Sequence, residues 1–90
     1  MTRLRVEFTV EPFVDAHPGA HVRAAWGAVE ALGCELVQGP FSSETSVSVA
    51  DAPSVIAEVV RAAFAGGATH VSFLVDRVDG SVGYGSAREP

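Results

Sequence analysis

The stretch Arg3–Pro12, which reads RLRVEFTVEP, decides the fold. Apolar and polar residues alternate strictly along it, a pattern typical of a β-strand with one buried face. Because Pro12 has no N–H to donate to a sheet, the strand is predicted to end there. The two faces are Leu4, Val6, Phe8 and Val10 on one side and Arg5, Glu7, Thr9 and Glu11 on the other.

The next periodic segment follows a loop at residues 13–19 and has helical spacing. Its apolar residues recur three or four positions apart, as on one stripe of a helix. Gly33 follows directly, where a left-handed helix cap favours a residue without Cβ. The predicted stripe is Val22, Ala25, Trp26, Val29 and Leu32.

The second half of the chain repeats these signals. Residues 34–37 and 45–49 predict two antiparallel strands joined around residues 39–43. Asp51 then suits a helix N-cap, and Pro53 fits its first turn. The second helical stripe is Ile56, Val59, Val60, Ala63 and Phe64, closed by Gly66 and Gly67. A last strand spans residues 70–78, with Val71, Phe73 and Val75 facing the core.

The predicted order is βαββαβ, which indicates an α+β, ferredoxin-like sandwich with a four-stranded antiparallel sheet and two helices on one face. Residues 1–80 would form one ligand-binding domain, and the Gly- and Ser-rich residues 81–90 a flexible C-terminal tail. The other sheet face would stay uncovered, able to meet solvent or a second copy. That face would carry Arg5, Glu7, Thr9, Glu11, Ser46, Ser48, Ser72, Leu74 and Asp76.

Composition limits the partners. The 90 residues carry a formal charge of −5, and the scattered arginines argue against nucleic acid and anionic membranes. The predicted central strands also lack the outward aromatics that RNA-binding sheets use. With no apolar leader and a single cysteine, the chain is expected to be cytoplasmic. A domain this small buries only about 60–65% of its unfolded surface, which favours a homo-oligomer, a dimer or tetramer.

The sequence contains little evidence for a catalytic site, and the chain is predicted not to be an enzyme. The segment Val37–Gly39 faintly resembles acylphosphatases, but those enzymes need an Asn and this chain has none. His17 and His21 have metal-ligand spacing, yet the simpler interpretation is exposed loop and cap histidines. Cys34 lacks an electropositive setting. A serine paired with His70 stays open, although no nucleophile-elbow motif accompanies it.

Binding remains. The loops after the first and second strands gather acidic groups, hydroxyls and phenylalanines, which suit a flat, cationic heterocycle. A structural interpretation stays open, in which the phenylalanines plug the core and the polar groups cap helices and turns. Trp26 is expected to be core rather than a ligand platform. The candidate ligand-binding residues are Glu11, Phe13, Asp15, Phe41, Ser43 and Thr45.

Several short segments are similar to a known family. Residues 6–13, Leu32–Gly33, residues 39–41 and residues 61–68 resemble the small thiamine-binding proteins related to YkoF. The resemblance implies a ferredoxin-like fold, homo-oligomers built by sheet-to-sheet or edge contacts, and binding of thiamine or its hydroxymethylpyrimidine part without catalysis. It implies no cofactor, thiamine being a bound ligand. The matching pyrimidine positions would be Phe13, Asp15, Ser43 and Thr45, with Ser46 as a neighbour.

Two functions therefore stay open. The first is a non-enzymatic thiamine or hydroxymethylpyrimidine binder that acts in supply, storage or sensing. The second is a self-associating structural or regulatory module with no small-molecule ligand, which would use Leu74 on the uncovered sheet face.

Overall fold

Six elements follow one another in the computed structural model, which describes residues 2–12, 18–39 and 42–78. The predicted tail at 81–90 lies outside these residues, as do Phe13, Asp15 and Phe41. No helix within the described ranges is long and apolar enough to cross a membrane. The elements are β1 (Arg3–Glu11), α1 (Ala20–Ala31), β2 (Val37–Gln38), β3 (Ser43–Ser48), α2 (Ala52–Ala65) and β4 (His70–Arg77).

The sheet has the order β2-β3-β1-β4, and all neighbouring strands are antiparallel. This arrangement confirms the predicted ferredoxin-like fold. β1 is central, so Phe8 pairs with Ser43 on one side and with Phe73 on the other. The alternation of β1 therefore fixes the two faces of the whole sheet.

The core lies between one face of the sheet and both helices. Val6 and Phe8 from β1 pack with Val29 from α1 and Val59 from α2. The rings of Phe8 and Phe73 meet with centroids 6.2 Å apart at an angle of 45°. Each large apolar side chain that β1 buries contributes about 1.5–3 kcal/mol to stability.

α1 packs most of its predicted stripe against the core, because Ala25 and Val29 are buried and Val22 and Trp26 are partly buried beside them. Its buried residues are His21, Ala25 and Val29, whereas Leu32 is 44% exposed. The expectation that His21 is an exposed loop or cap residue is wrong. Its ring is buried because Nε2 finds a partner in the carbonyl of Pro12, 2.6 Å away, and a bonded ring nitrogen can leave water. Gly33 has a positive φ of 82°, as its cap position predicts.

The buried face of α2 differs in part from the predicted apolar stripe. Val60 and Phe64 are exposed, while neighbouring positions on the helix are buried. Apolar residues occupy more of this helix than one stripe, apart from the polar positions Ser54, Glu58 and Arg61, and small alanines allow close packing against α1. Asp51 occupies the N-cap position, but its side chain makes no capping hydrogen bond. The buried residues are Ala52, Val55, Val59, Ala62 and Ala63.

The outer strands differ from their predicted extents. β2 has only two residues instead of four, and β3 ends before Val49, which is 48% exposed. Val75 shares the helix-side face with Val6, its partner in register, but is 40% exposed. β4 is an edge strand with few contacts to α2, so its end is poorly covered.

Candidate functional site

One end of the sheet gathers the segments in which the binding residues were predicted. We call it the loop end and define it by Glu11, Gln38, Ser43 and His70, where β1 and β2 end and β3 and β4 begin. Glu11 pairs in register with His70, and Gln38 with Ser43. Segments 13–17 and 40–41 connect to the described chain at this end, although Phe13, Asp15 and Phe41 themselves lie outside the described residues.

The loop end contains a hydrogen bond between α1 and β3. The indole Nε1 of Trp26 donates to the hydroxyl oxygen of Ser43 over 2.7 Å. Trp26 is half-buried and packs against the core, whereas Ser43 is 6% exposed. This bond joins the aromatic group and the first residue of β3 into one unit. The Trp26 side chain is thus both a core group, as expected, and a polar contact of the predicted site.

Thr45 lies two residues further along β3 and shares the helix-side face with Ser43. It is 2% exposed, and its hydroxyl donates to the carbonyl of Glu35 over 2.5 Å. Both predicted hydroxyl groups therefore make hydrogen bonds within the protein. In this arrangement they position the neighbouring backbone and side chains.

Glu11 lies on the opposite face of the sheet from Ser43. Its backbone carbonyl accepts hydrogen bonds from the N–H of Thr69 at 2.8 Å and from the Thr69 hydroxyl at 3.3 Å. Its side chain is half-buried next to the register position of His70. The structure thus brings Glu11 and Ser43 towards one end of the sheet but on opposite faces, and it places Thr45 further along β3, opposite Val6.

Two polar contacts at the loop end were missed by the sequence reasoning. His21 bonds the carbonyl of Pro12 and so fixes the point where the chain leaves β1. The hydroxyl of Ser42 donates to a carboxylate oxygen of Glu7 over 3.0 Å on the uncovered face. The burial of His21 had a signal, because Ala25 and Val29 follow it at helical spacing.

The charge at the loop end is acidic. Glu11 ends β1 on the uncovered face, and Glu7 and Glu44, direct partners across β1 and β3, lie further along the strands on the same face. Trp26, Ser43 and Thr45 lie on the helix side, so the sheet separates these carboxylates from the aromatic and hydroxyl groups. Within the described ranges, no group of three or more His, Cys, Asp or Glu residues is arranged to hold a metal ion.

A cavity of about 410 Å³ lies elsewhere, beside the outer edge of β3 and towards the other end of the sheet. Its lining includes Arg3, Cys34, Ser48 and Asp51, and of the six predicted residues only Thr45 reaches it. The predicted site and this cavity therefore share Thr45 and otherwise have different residues. The loop end and the cavity need separate tests.

The fold has a counterpart among solved structures. The chain is similar to the "domain of unknown function DUF77 from Bacillus cereus", with a TM-score of 0.63 and 17% sequence identity. The match covers 84% of this chain and 74% of that one. Similarity at this level of identity shows a shared fold. No protein-family model matches the sequence, and no curated protein matches it.

Proposed function

We propose that the chain is a non-enzymatic, cytoplasmic binding protein for thiamine or its hydroxymethylpyrimidine part, with its site at the loop end. One observation carries the proposal: the Trp26–Ser43 hydrogen bond holds an aromatic ring at the point where the loops with the remaining candidate residues attach. The family resemblance of the sequence supplies the identity of the ligand.

The chemistry of the ligand matches the chemistry of this end. Thiamine is a cation with flat aromatic rings, and aromatic faces and carboxylates attract such groups. Glu11 places negative charge at the end of β1, and the predicted contacts Phe13, Asp15 and Phe41 would add stacking and pairing. A bound pyrimidine would lie near the indole, with Ser43 and Thr45 as positioning groups.

Fluorescence tests this placement directly, because Trp26 is the only tryptophan in the chain. Thiamine titrated into the protein should change the emission saturably, and hydroxymethylpyrimidine alone should reproduce the change if it is the recognised part. Free tryptophan amide at the same absorbance controls for light absorbed by the ligand. Asp15→Asn should weaken binding, whereas the matched variant Glu58→Gln on α2 should not.

Thermal stability gives an independent measurement. A ligand at one hundred times its dissociation constant stabilises the folded protein by about 2.7 kcal/mol. Absence of both a melting shift and calorimetric heat at millimolar thiamine and hydroxymethylpyrimidine would rule the proposed function out.

A second candidate function is self-association through the uncovered sheet face. Leu74 is 56% exposed on this face, and Val37 is 61% exposed in the same row across the strands. These apolar groups flank the carboxylates of Glu7 and Glu44. A second copy that covered them would remove apolar area from water and add to the marginal stability of a small domain.

Leu74→Glu tests this second candidate. The variant should reduce the mass measured by light scattering to that of one chain, while Phe64→Glu, an exposed apolar position on α2, should leave the assembly intact. Thiamine binding within one chain would survive Leu74→Glu. A wild-type protein that is monomeric at all concentrations would contradict self-association.

A further inference from the structure

The outer edge of β3 is only partly covered. β2 pairs with it no further than Glu44, so within the described residues its later part has no strand partner on that side. The N–H of Gly39 donates to the carbonyl of Ser42 over 2.8 Å, so the backbone of Ser42 points towards β2. Backbone groups alternate along a strand, and those of Ser46 and Ser48 therefore point to the same outer side.

A side chain produces the gap at this edge. The hydroxyl of Thr45 bonds the carbonyl of Glu35, so a side-chain contact takes the place of a backbone ladder between β3 and the segment before β2. The space between them is the cavity of about 410 Å³. This volume falls within the roughly 300–1,000 Å³ of small-molecule pockets.

Arg3 disfavours a β-strand of another molecule as the occupant of this cavity. Its guanidinium donates to the carbonyl of Ser46 over 2.8 Å and so takes an acceptor that an incoming strand would need. Charged side chains on a sheet edge are a common way to prevent strand addition. The remaining space fits a compact molecule better than an extended peptide.

The lining indicates the charge of that molecule. Among the charged residues that line the cavity, Glu35, Glu44 and Asp51 are acidic and Arg3 is basic, which gives the lining a net negative charge. The Asp51 side chain makes no hydrogen bond to the helix that it precedes. A cationic group would therefore gain several charge-assisted contacts.

The same cavity has an apolar side. Leu32 and Val37 are 44% and 61% exposed, and both line it. Exposed apolar groups next to carboxylates match a ligand that has a charged head and an apolar body.

We propose that this cavity binds an organic cation, an amidinium or ammonium group on a small apolar body. The carboxylates of Glu44 and Asp51 face the charged group, and Leu32 and Val37 contact the apolar part. The site is separate from the loop end and does not depend on thiamine binding there.

Benzamidinium is the probe that tests this proposal, followed by the backbone amide signals in NMR spectra of the whole chain. Saturable shifts should concentrate at Gly33, Ser46 and Ser48. Glu44→Gln should weaken binding by about two- to fivefold, as expected for a partly exposed ion pair. The matched variant Glu58→Gln on α2 removes the same charge away from the cavity and should leave the affinity unchanged.

The controls separate the possible results. Neutral benzamide should bind much more weakly than benzamidinium. The proposal is overturned if benzamide binds equally, if sulfate shifts the same amides in place of the cation, if the shifts lie elsewhere, or if a well-folded Glu44→Gln protein binds as the wild type does. Trp26 is not part of the cavity lining, so its fluorescence with thiamine reports on the loop end alone. Failure at one site is therefore distinguishable from failure at the other.

Discussion

Removing the hydrogen bond between Trp26 and Ser43 should destabilise the protein measurably. The bond is 2.7 Å long, and Ser43 is 6% exposed. Because water cannot readily replace the lost acceptor, Ser43→Ala leaves the indole N–H poorly satisfied at a cost of about 1–3 kcal/mol. For a domain of this size, each kcal/mol corresponds to a fall of roughly 4–8 °C in Tm.

A double-mutant cycle isolates the bond itself. Ser43→Ala, Trp26→Phe and the double variant are unfolded in urea and followed by far-ultraviolet circular dichroism, because Trp26→Phe removes the fluorophore. The coupling energy should be about 1 kcal/mol. Ser72→Ala is the control, since it removes a bond of the same length to Thr9 on the exposed face, where water can substitute. A coupling energy below about 0.3 kcal/mol, or equal losses at Ser43 and Ser72, would refute the reasoning.

Three further predictions concern the backbone and charge, and urea unfolding measures each. Gly33→Ala should destabilise the protein by about 1–2 kcal/mol, because φ at Gly33 is positive at 82°. Gly27→Ala inside α1 should instead stabilise it by about 0.5–1 kcal/mol, because the Cβ position of Gly27 has open space. A change of the same sign in both variants would contradict this prediction. Gly66→Ala should lower the free energy of unfolding by about 1–3 kcal/mol, because the added Cβ would lie 3.0 Å from the backbone of α1. An unchanged stability would show that the two helices can separate freely. Glu44→Gln should stabilise by up to about 1 kcal/mol by removing a like-charge pair with Glu7, and a gain that persists at high salt would exclude this electrostatic cause.

The alternation of apolar and polar residues at positions 3–11 predicts most of the sheet topology. Once β1 has one buried face, the element order βαββαβ leaves few arrangements, and the pairing of Phe8 with both neighbouring strands follows from it. The uncovered face was predictable for the same reason, because a shift by one residue would expose the core positions of β1 to water.

The exact buried face of α2 and the shortness of β2 did not follow from periodicity. α2 has more apolar positions than one stripe holds, so packing against α1 decides which of them are buried. The helical spacing of His21 with Ala25 and Val29 indicates its burial, but its hydrogen-bond partner, the carbonyl of Pro12, lies in another segment that no local pattern identifies. β2 is short because Thr45 bonds Glu35 through its side chain, and the cavity that results could not be foreseen for the same reason.

The central position of β1 has a consequence for synthesis on the ribosome. β1 emerges first, yet both of its partners in the sheet come later in the chain, and Arg5 bonds Asp76 across 71 positions. Val6, Phe8 and Val10 therefore have no partner strand until β3 has been made. A fragment that ended after Gln38 would contain β1 and β2, which are not neighbours in the sheet, and thus no ladder at all. The nascent chain must keep β1, which supplies Val6, Phe8 and Val10 to the core, from aggregating until the second half of the chain has been made.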